Sequence, residues 1–122
     1  MKTFVWLLII TAFLPAFALA AIQDIRVSNN TSASVTISWV TDENTGGEIR
    51  YSVNPDLSDA LVAYDTRGEA FEGCTHYVVI ANLQPETGYY FEVISNGEVD
   101  NNQGRHYSCK TMKVPQRQRR EQ

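Results

Sequence analysis

The sequence predicts an all-β protein, a single antiparallel sandwich of seven strands behind a cleaved export signal, and three features carry that expectation. Apolar and polar residues alternate with period two in one segment after another. The segments are short and separated at regular spacing by Asn, Asp, Gly and Pro turn chemistry. Beyond the N-terminal apolar run, no stretch keeps a 3.6-residue period. A chain of 122 residues has room for one hydrophobic core, and 43% hydrophobic with 20% charged residues is the composition of a chain that packs.

Residues 1–20 are expected to be a signal peptide. Lys2 supplies the positive start, Phe4 to Leu14 is almost unbroken apolar sequence, and Ala18-Leu19-Ala20 places small residues where a signal peptidase reads them, so cleavage is expected after Ala20. Pro15 interrupts the run short of the roughly 20 apolar residues a membrane span needs. No Cys stands at the cleavage point, so no lipid anchor is indicated.

The strands follow in order. Residues 22–29 form a first short strand with Ile25 and Val27 on one face, closed by Asn29-Asn30-Thr31-Ser32. Residues 34–41 carry the cleanest alternation, with Val35, Ile37 and Trp39 inward and Thr36 and Ser38 toward water. A polar turn over 42–47 leads to a strand over 48–53, in which Ile49, Tyr51 and Val53 share a face. Asn54-Pro55-Asp56 breaks it, because proline has no N–H for a ladder. A weaker strand over 60–64 follows, then a loop over 66–73, then a strand over 75–83 with Val78 and Ile80 inward. Gln84-Pro85-Glu86-Thr87-Gly88 turns the chain into 89–95, where Tyr89, Phe91 and Val93 share one face and Tyr90, Glu92 and Ile94 the other. Residues 96–104 read as turn, and 106–111 as the seventh strand.

The run Leu83-x-Pro85-x-Thr87-x-Tyr89-x-Phe91-x-Val93 resembles the hallmark of fibronectin type III domains. The resemblance implies structural roles. Leu83 ends the fifth strand, Pro85 and Thr87 shape the crossing to the sixth, and Tyr89 forms a corner in which its ring fills the core edge and its hydroxyl satisfies backbone groups. Trp39 is similar to that family's core tryptophan and Tyr51 to its aromatic partner. Ser38-Trp39-Val40-Thr41, Glu48-Ile49-Arg50-Tyr51, His76-Tyr77-Val78, Leu83-x-Pro85 and Tyr89-Tyr90 resemble more closely the β-sandwich that precedes the catalytic domain of purple acid phosphatases and occurs in many bacterial extracellular proteins. That resemblance covers about residues 22–112 and implies a fold and an extracellular setting. It carries no phosphatase activity, because that chemistry belongs to a separate domain rich in Asp, His and Asn ligands, before which this chain is expected to end. Cys109 departs from the pattern, since related domains usually place an aromatic or aliphatic residue there.

Charge excludes one class of partner. Between Ala21 and Met112 five Lys or Arg face thirteen Asp or Glu, too acidic for a domain that must neutralise phosphates, so no nucleic-acid partner is expected. Residues 113–122 hold Lys113, Arg117, Arg119 and Arg120 against Glu121 and read as a basic, disordered tail.

No catalytic, metal or cofactor site is expected. His76 and His106 fall on different strands in opposite sheets and read as partly exposed strand-end side chains. Asp42-Glu43 and Glu69 with Glu72 read as solvated loop charge. Asp100-Asn101-Asn102-Gln103-Gly104 has oxygen ligands but no downstream bidentate acid, and reads as a hairpin turn. Arg67-Gly68-Glu69 misses the integrin-binding tripeptide by one residue. Cys74 and Cys109 are expected to stay unpaired within one molecule, with Cys109 facing the core near Tyr107 and Thr111 and Cys74 the more accessible thiol.

The functional expectation is a secreted or periplasmic, non-catalytic module that binds an unidentified protein or carbohydrate or acts as a spacer, with no membrane span once the signal is removed. The enzyme-class alternative is the accessory domain of a metallophosphoesterase, and a third is a subunit of a surface assembly. A metal-ligand-rich reading frame downstream of the gene would favour the second, and a stable complex on size exclusion the third.

Overall fold

The computed structural model describes residues 21–116, and the expected signal peptide and the end of the basic tail lie outside them. Eight strands form two antiparallel sheets: β1 (Ile22–Ser28), β2 (Val35–Thr45), β3 (Glu48–Ser52), β4 (Leu61–Tyr64), β5 (Gly73–Ile80), β6 (Gly88–Ser95), β7 (Glu98–Asp100) and β8 (Tyr107–Lys110). One sheet has the order β1-β2-β5 and the other β4-β3-β6, with β7 and β8 both on the far side of β6. Among the described residues no helix is long and apolar enough to cross a membrane.

The strand count differs from the expected seven for a simple reason. β7 pairs with Val93–Ser95 and β8 with Gly88–Phe91, so the two are successive parts of one ladder on β6. Residues 101–106 loop out between them. Asn102, Gln103 and His106 there take positive φ, a conformation that the extended ladder cannot continue through. The turn that reverses the chain is instead Asn96-Gly97, both with positive φ, as a tight hairpin requires. The expectation of a hairpin turn over Asp100–Gly104 is corrected accordingly.

The core fills the space between the sheets with the alternating residues of β2, β3, β5 and β6. Val35, Ile37, Trp39, Ile49, Val78, Phe91 and Val93 are all but inaccessible. Such large apolar side chains each contribute about 1.5–3 kcal/mol on burial, the bulk of what holds so small a domain together. Ile22 and Ile25 also pack on this core although they are three residues apart. The register shift between Gln23 and Arg26, with Asp24 at φ 54°, makes that possible by inserting a residue into β1. Val27 pairs with inward Ile37 but lies on the edge strand and is 41% exposed. Val53 lies beyond the end of β3 and is exposed, so it does not share the buried face of Ile49.

β2 runs further than expected. Residues 42–45 continue it to Thr45, which pairs with Gly73 after a register shift, and Asp42 and Glu43 are strand residues with exposed side chains rather than loop residues. That extension brings Thr41 and Thr45 into the interior, each 2% exposed.

Candidate functional site

The polar side chains of greatest interest converge where β2 turns into β3. Trp39 and His76 stack with ring centroids 5.1 Å apart and planes 18° from parallel. The indole Nε1 donates to Ser95 Oγ across the sandwich at 2.9 Å. His76 Nε2 lies 3.1 Å from Thr41 Oγ1 and 3.0 Å from Thr45 Oγ1. On the other side of the ring, Nδ1 has no hydrogen-bond partner and stands 3.7 Å from Asp65 Oδ2.

Asp65 is held in turn by Arg67. The guanidinium donates to both carboxylate oxygens at 2.9 and 3.0 Å, and the Arg67 backbone N–H adds a third bond at 2.9 Å. The same guanidinium lies 3.6 Å over the Phe71 ring and 4.8 Å from the Tyr77 ring centroid. Burial pushes the Asp65 carboxyl up, but the hydrogen bonds and charge of Arg67 outweigh it and hold the group below its ordinary value. His76 is pushed down by burial, with the Asp65 charge opposing only in part. A neutral imidazole beside an ionised carboxylate is the state these environments favour.

This cluster has the groups of an Asp–His–Thr relay and lacks its access. His76 is 1% exposed and Asp65 3%, and the 3.7 Å separation is too long for the hydrogen bond that would orient the ring. The expectation that His76 is a partly exposed strand-end residue is therefore corrected. It sits in mid-strand on the same face as Val78 and Ile80, and two threonines and a tryptophan take the place of water around it. His106 is partly exposed, with Nδ1 2.8 Å from Pro55 O and Nε2 3.8 Å from Glu92 Oε2. The expectation of two histidines on strands of opposite sheets is corrected for His106, which lies at positive φ in the loop 101–106, just before β8 begins at Tyr107.

Above the cluster, the turns between β2 and β3 and between β6 and β7 and the loop leading out of β4 surround an open depression of about 290 Å³. Its wall is acidic, with Glu48, Glu69 and Glu72 around Tyr64, and the Glu69 charge, then burial, raises the Tyr64 phenol above its ordinary value. Among the described residues no group of three or more His, Cys, Asp or Glu is arranged to hold a metal ion. Arg67 of the Arg67-Gly68-Glu69 sequence is occupied by Asp65 and Phe71.

The residues assigned structural roles from sequence lie at the opposite end and in the core. Tyr89 Oη accepts a hydrogen bond from the Gln84 N–H at 2.8 Å, closing the corner between β5 and β6. Leu83 is buried past the end of β5, its N–H bonded to Ala33 O at 2.9 Å. Thr87 Oγ1 donates to Pro85 O at 2.8 Å, and its N–H donates to Thr111 Oγ1 at 2.9 Å. Tyr51 and Tyr89 meet with centroids 6.4 Å apart, Phe91 stacks on Tyr107 at 5.5 Å, and Val93 is fully buried. The sequence reading missed Asp65, Arg67, Thr41, Thr45 and Ser95. Three residues of the cluster carried a legible signal in their parity: His76 with Val78 and Ile80, Thr41 with Ile37 and Trp39, and Ser95 with Phe91 and Val93.

Two sheets in this order, joined by a tyrosine corner, define a fibronectin type III-like β-sandwich domain. The profile of the purple acid phosphatase N-terminal domain matches residues 22–111, and the chain belongs to that family. A search of curated proteins finds no significant match. Among solved structures, the chain is similar to the sensor domain of the anti-sigma factor RsgI4 of Pseudobacteroides cellulosolvens, at 21% identity and TM-score 0.60 over 80% of this chain and 94% of that one. It is also similar to a fibronectin type III domain of human KIAA0970, at 16% identity and TM-score 0.58 over 80% and 77% of the two chains. A third is a fibronectin type III domain of human contactin 1, at 18% identity and TM-score 0.56 over 84% and 92%.

Proposed function

We propose that the protein is an exported, non-catalytic module that binds a protein or carbohydrate outside the cytoplasm, or spaces such partners. One observation carries this reading. The best-formed acid–base cluster among the described residues, His76 with Asp65, Thr41 and Thr45, is sealed in the core, whereas loops and strand edges are what the sandwich presents to solvent. Residues 1–20 support export as a signal peptide, leaving 21–112 as the sandwich and 113–122 as a basic tail. A sensor domain and fibronectin type III modules share the fold, which supports a recognition role.

Family membership favours a second reading, in which the domain serves a metallophosphoesterase as its accessory part. Both are tested together. The protein is produced in its host, the extracellular fraction is analysed by intact mass, and hydrolysis of p-nitrophenyl phosphate is measured with and without added Fe³⁺ and Zn²⁺. The proposal expects a mature chain beginning at Ala21 and no metal-dependent turnover. Absence of the protein from that fraction would overturn export, retention of Met1 would overturn cleavage after Ala20, and metal-dependent hydrolysis by the chain alone would overturn the non-catalytic role. Co-purification with a phosphoesterase would favour the second reading.

A further inference from the structure

The edge of a sheet is a row of backbone N–H and C=O groups ready to pair with another strand, and folded proteins block the edges they do not use. Three of the four edges of this sandwich are blocked. β1 is kinked by the bulge at Asp24 and carries Arg26. β5 is covered by the segment after β4: Thr66 N donates to Tyr77 O at 3.0 Å, Thr66 Oγ1 accepts from Val79 N at 3.1 Å, Asp65 Oδ2 accepts from Tyr77 N at 3.4 Å, and Arg67 Nη2 donates to Thr75 O. The ladder of β7 and β8 is interrupted by residues 101–106, and Lys110 O is taken by Asn30 Nδ2 at 2.7 Å.

β4 has none of these devices. Its sequence, Leu61-Val62-Ala63-Tyr64, contains no charge, proline or glycine, and its register against β3 is unbroken. Leu61, Val62 and Tyr64 are 61%, 44% and 42% exposed. Among the described residues, no hydrogen bond outside the β3 ladder reaches the backbone of Leu61–Tyr64.

We propose that β4 is a self-association edge, pairing antiparallel with β4 of a second copy about a two-fold axis at Ala63. Directly opposed residues in a sheet must point to the same face, which leaves registers centred on Val62 or on Ala63. Backbone and side-chain pairing separate them. The Asp65 N–H donates to Gly47 O and continues the β3 ladder, so by alternation Val62 and Tyr64 turn their N–H and C=O groups to the open edge. Centred on Ala63, Val62 meets the second copy's Tyr64 twice, so these groups pair and an aromatic meets a β-branched side chain. Centred on Val62, that residue meets itself and Tyr64 has no partner within the strand. Two copies satisfy the first arrangement reciprocally, as a closed isologous dimer requires. A four-residue ladder falls short of the roughly 800 Å² per partner of a stable interface, so the dimer is weak and concentration-dependent.

Sedimentation of the purified protein from dilute to concentrated solution tests this, alongside amide exchange at both extremes. The wild type is expected to shift from monomer to dimer with exchange slowing at residues 61–64. Val62→Lys should remain monomeric, and Val27→Lys on the blocked β1 edge should dimerise like the wild type. A monomer at every concentration, leaving β4 to a strand from some other protein, would overturn the proposal, as would a dimer indifferent to Val62→Lys. Should Val62→Lys fail to fold, exchange in the wild type decides: slowing at β4 supports the pairing, and its absence there overturns it.

Discussion

Gly47 lies so close to the stacked pair Trp39 and His76 that a Cβ added to it would stand 2.7 Å from Trp39 Cζ2 and 2.8 Å from His76 Nδ1. Both neighbours are ring atoms of fully buried side chains and have nowhere to retreat. Gly47→Ala is expected to cost about 1–3 kcal/mol as overpacking. Gly88 offers the control, because a Cβ there meets nothing within 4 Å and its φ is not in the positive region. Gly88→Ala should change stability by less than about 1 kcal/mol. Urea unfolding of both variants measures the contrast, and equal midpoints would show the turn to be looser than described.

The Trp39–His76 arrangement also makes stability depend on pH in a stated direction. The His76 pKa is lowered in the folded protein, so in the range below its ordinary value near 6.5 the unfolded chain binds more protons than the native one. Stability is therefore full above that pH and falls as pH drops toward the folded value. Asp65, also lowered, adds a second loss once pH falls below its ordinary value of 3.8 and through its folded one. A His76→Gln variant is expected to be less stable near neutrality but flatter in urea midpoint between about pH 7 and pH 5. Equal slopes would mean that another group is responsible.

How much of this was legible differs by residue, for physical reasons. Val35, Ile37, Trp39, Phe91 and Val93 were legible because a regular strand repeats every two residues and both sheets bury one face. The place of Ile22 was not, because the bulge at Asp24 resets the period and Asp carries no marker of it. The loop over 101–106 was legible as turn chemistry but not as an interruption of a ladder, since pairing partners on β6 lie outside the local sequence. The Asp65–Arg67 pair was invisible for the same reason. Its two residues are neighbours in sequence, but what gives them meaning is β5, whose edge they cover, and His76, which they face.

Arg67 links those two roles, so Arg67→Ala should produce two effects together. Asp65 would lose its main stabilising partner while remaining buried and its pKa would rise, so the variant is expected to be less stable near neutrality and flatter in urea midpoint below the ordinary value of 3.8 than the wild type. Thr75 O would lose a donor and the β5 edge part of its cover, so amide exchange along β5 should quicken. An unchanged slope of stability against pH in that acid range, with faster exchange, would separate the edge-covering role from the electrostatic one.

At the other end of the molecule, Tyr89→Phe isolates the corner hydrogen bond. The ring stays in place against Tyr51, and only the acceptor for Gln84 N–H is removed. The expected cost is about 1–2 kcal/mol, compared with about 3–5 kcal/mol for Trp39→Ala, which removes a core ring and leaves a cavity. Reversal of that order in urea unfolding would mean that the corner, rather than the core, dominates the stability of the fold.

The two thiols test the layout of the sheets. Cys109 pairs in register with Tyr89 in one sheet, packs beside the core, and has its thiol pushed up by burial. Cys74 lies in β5 of the other sheet, exposed, with Sγ 3.3 Å from Asn44 Oδ1. Both are unpaired, so denatured and non-reduced monomer should titrate two thiols. In the native protein near neutral pH, a thiol reagent is expected to modify Cys74 quickly and Cys109 slowly, because a thiol that is buried and hard to ionise presents little thiolate. Mass mapping of the first adduct assigns the order. If Cys109 reacts first, the β6–β8 end opens in solution; if no thiol is found in the denatured chain, the two cysteines are joined and the start of β5 does not hold Cys74 exposed beside Asn44.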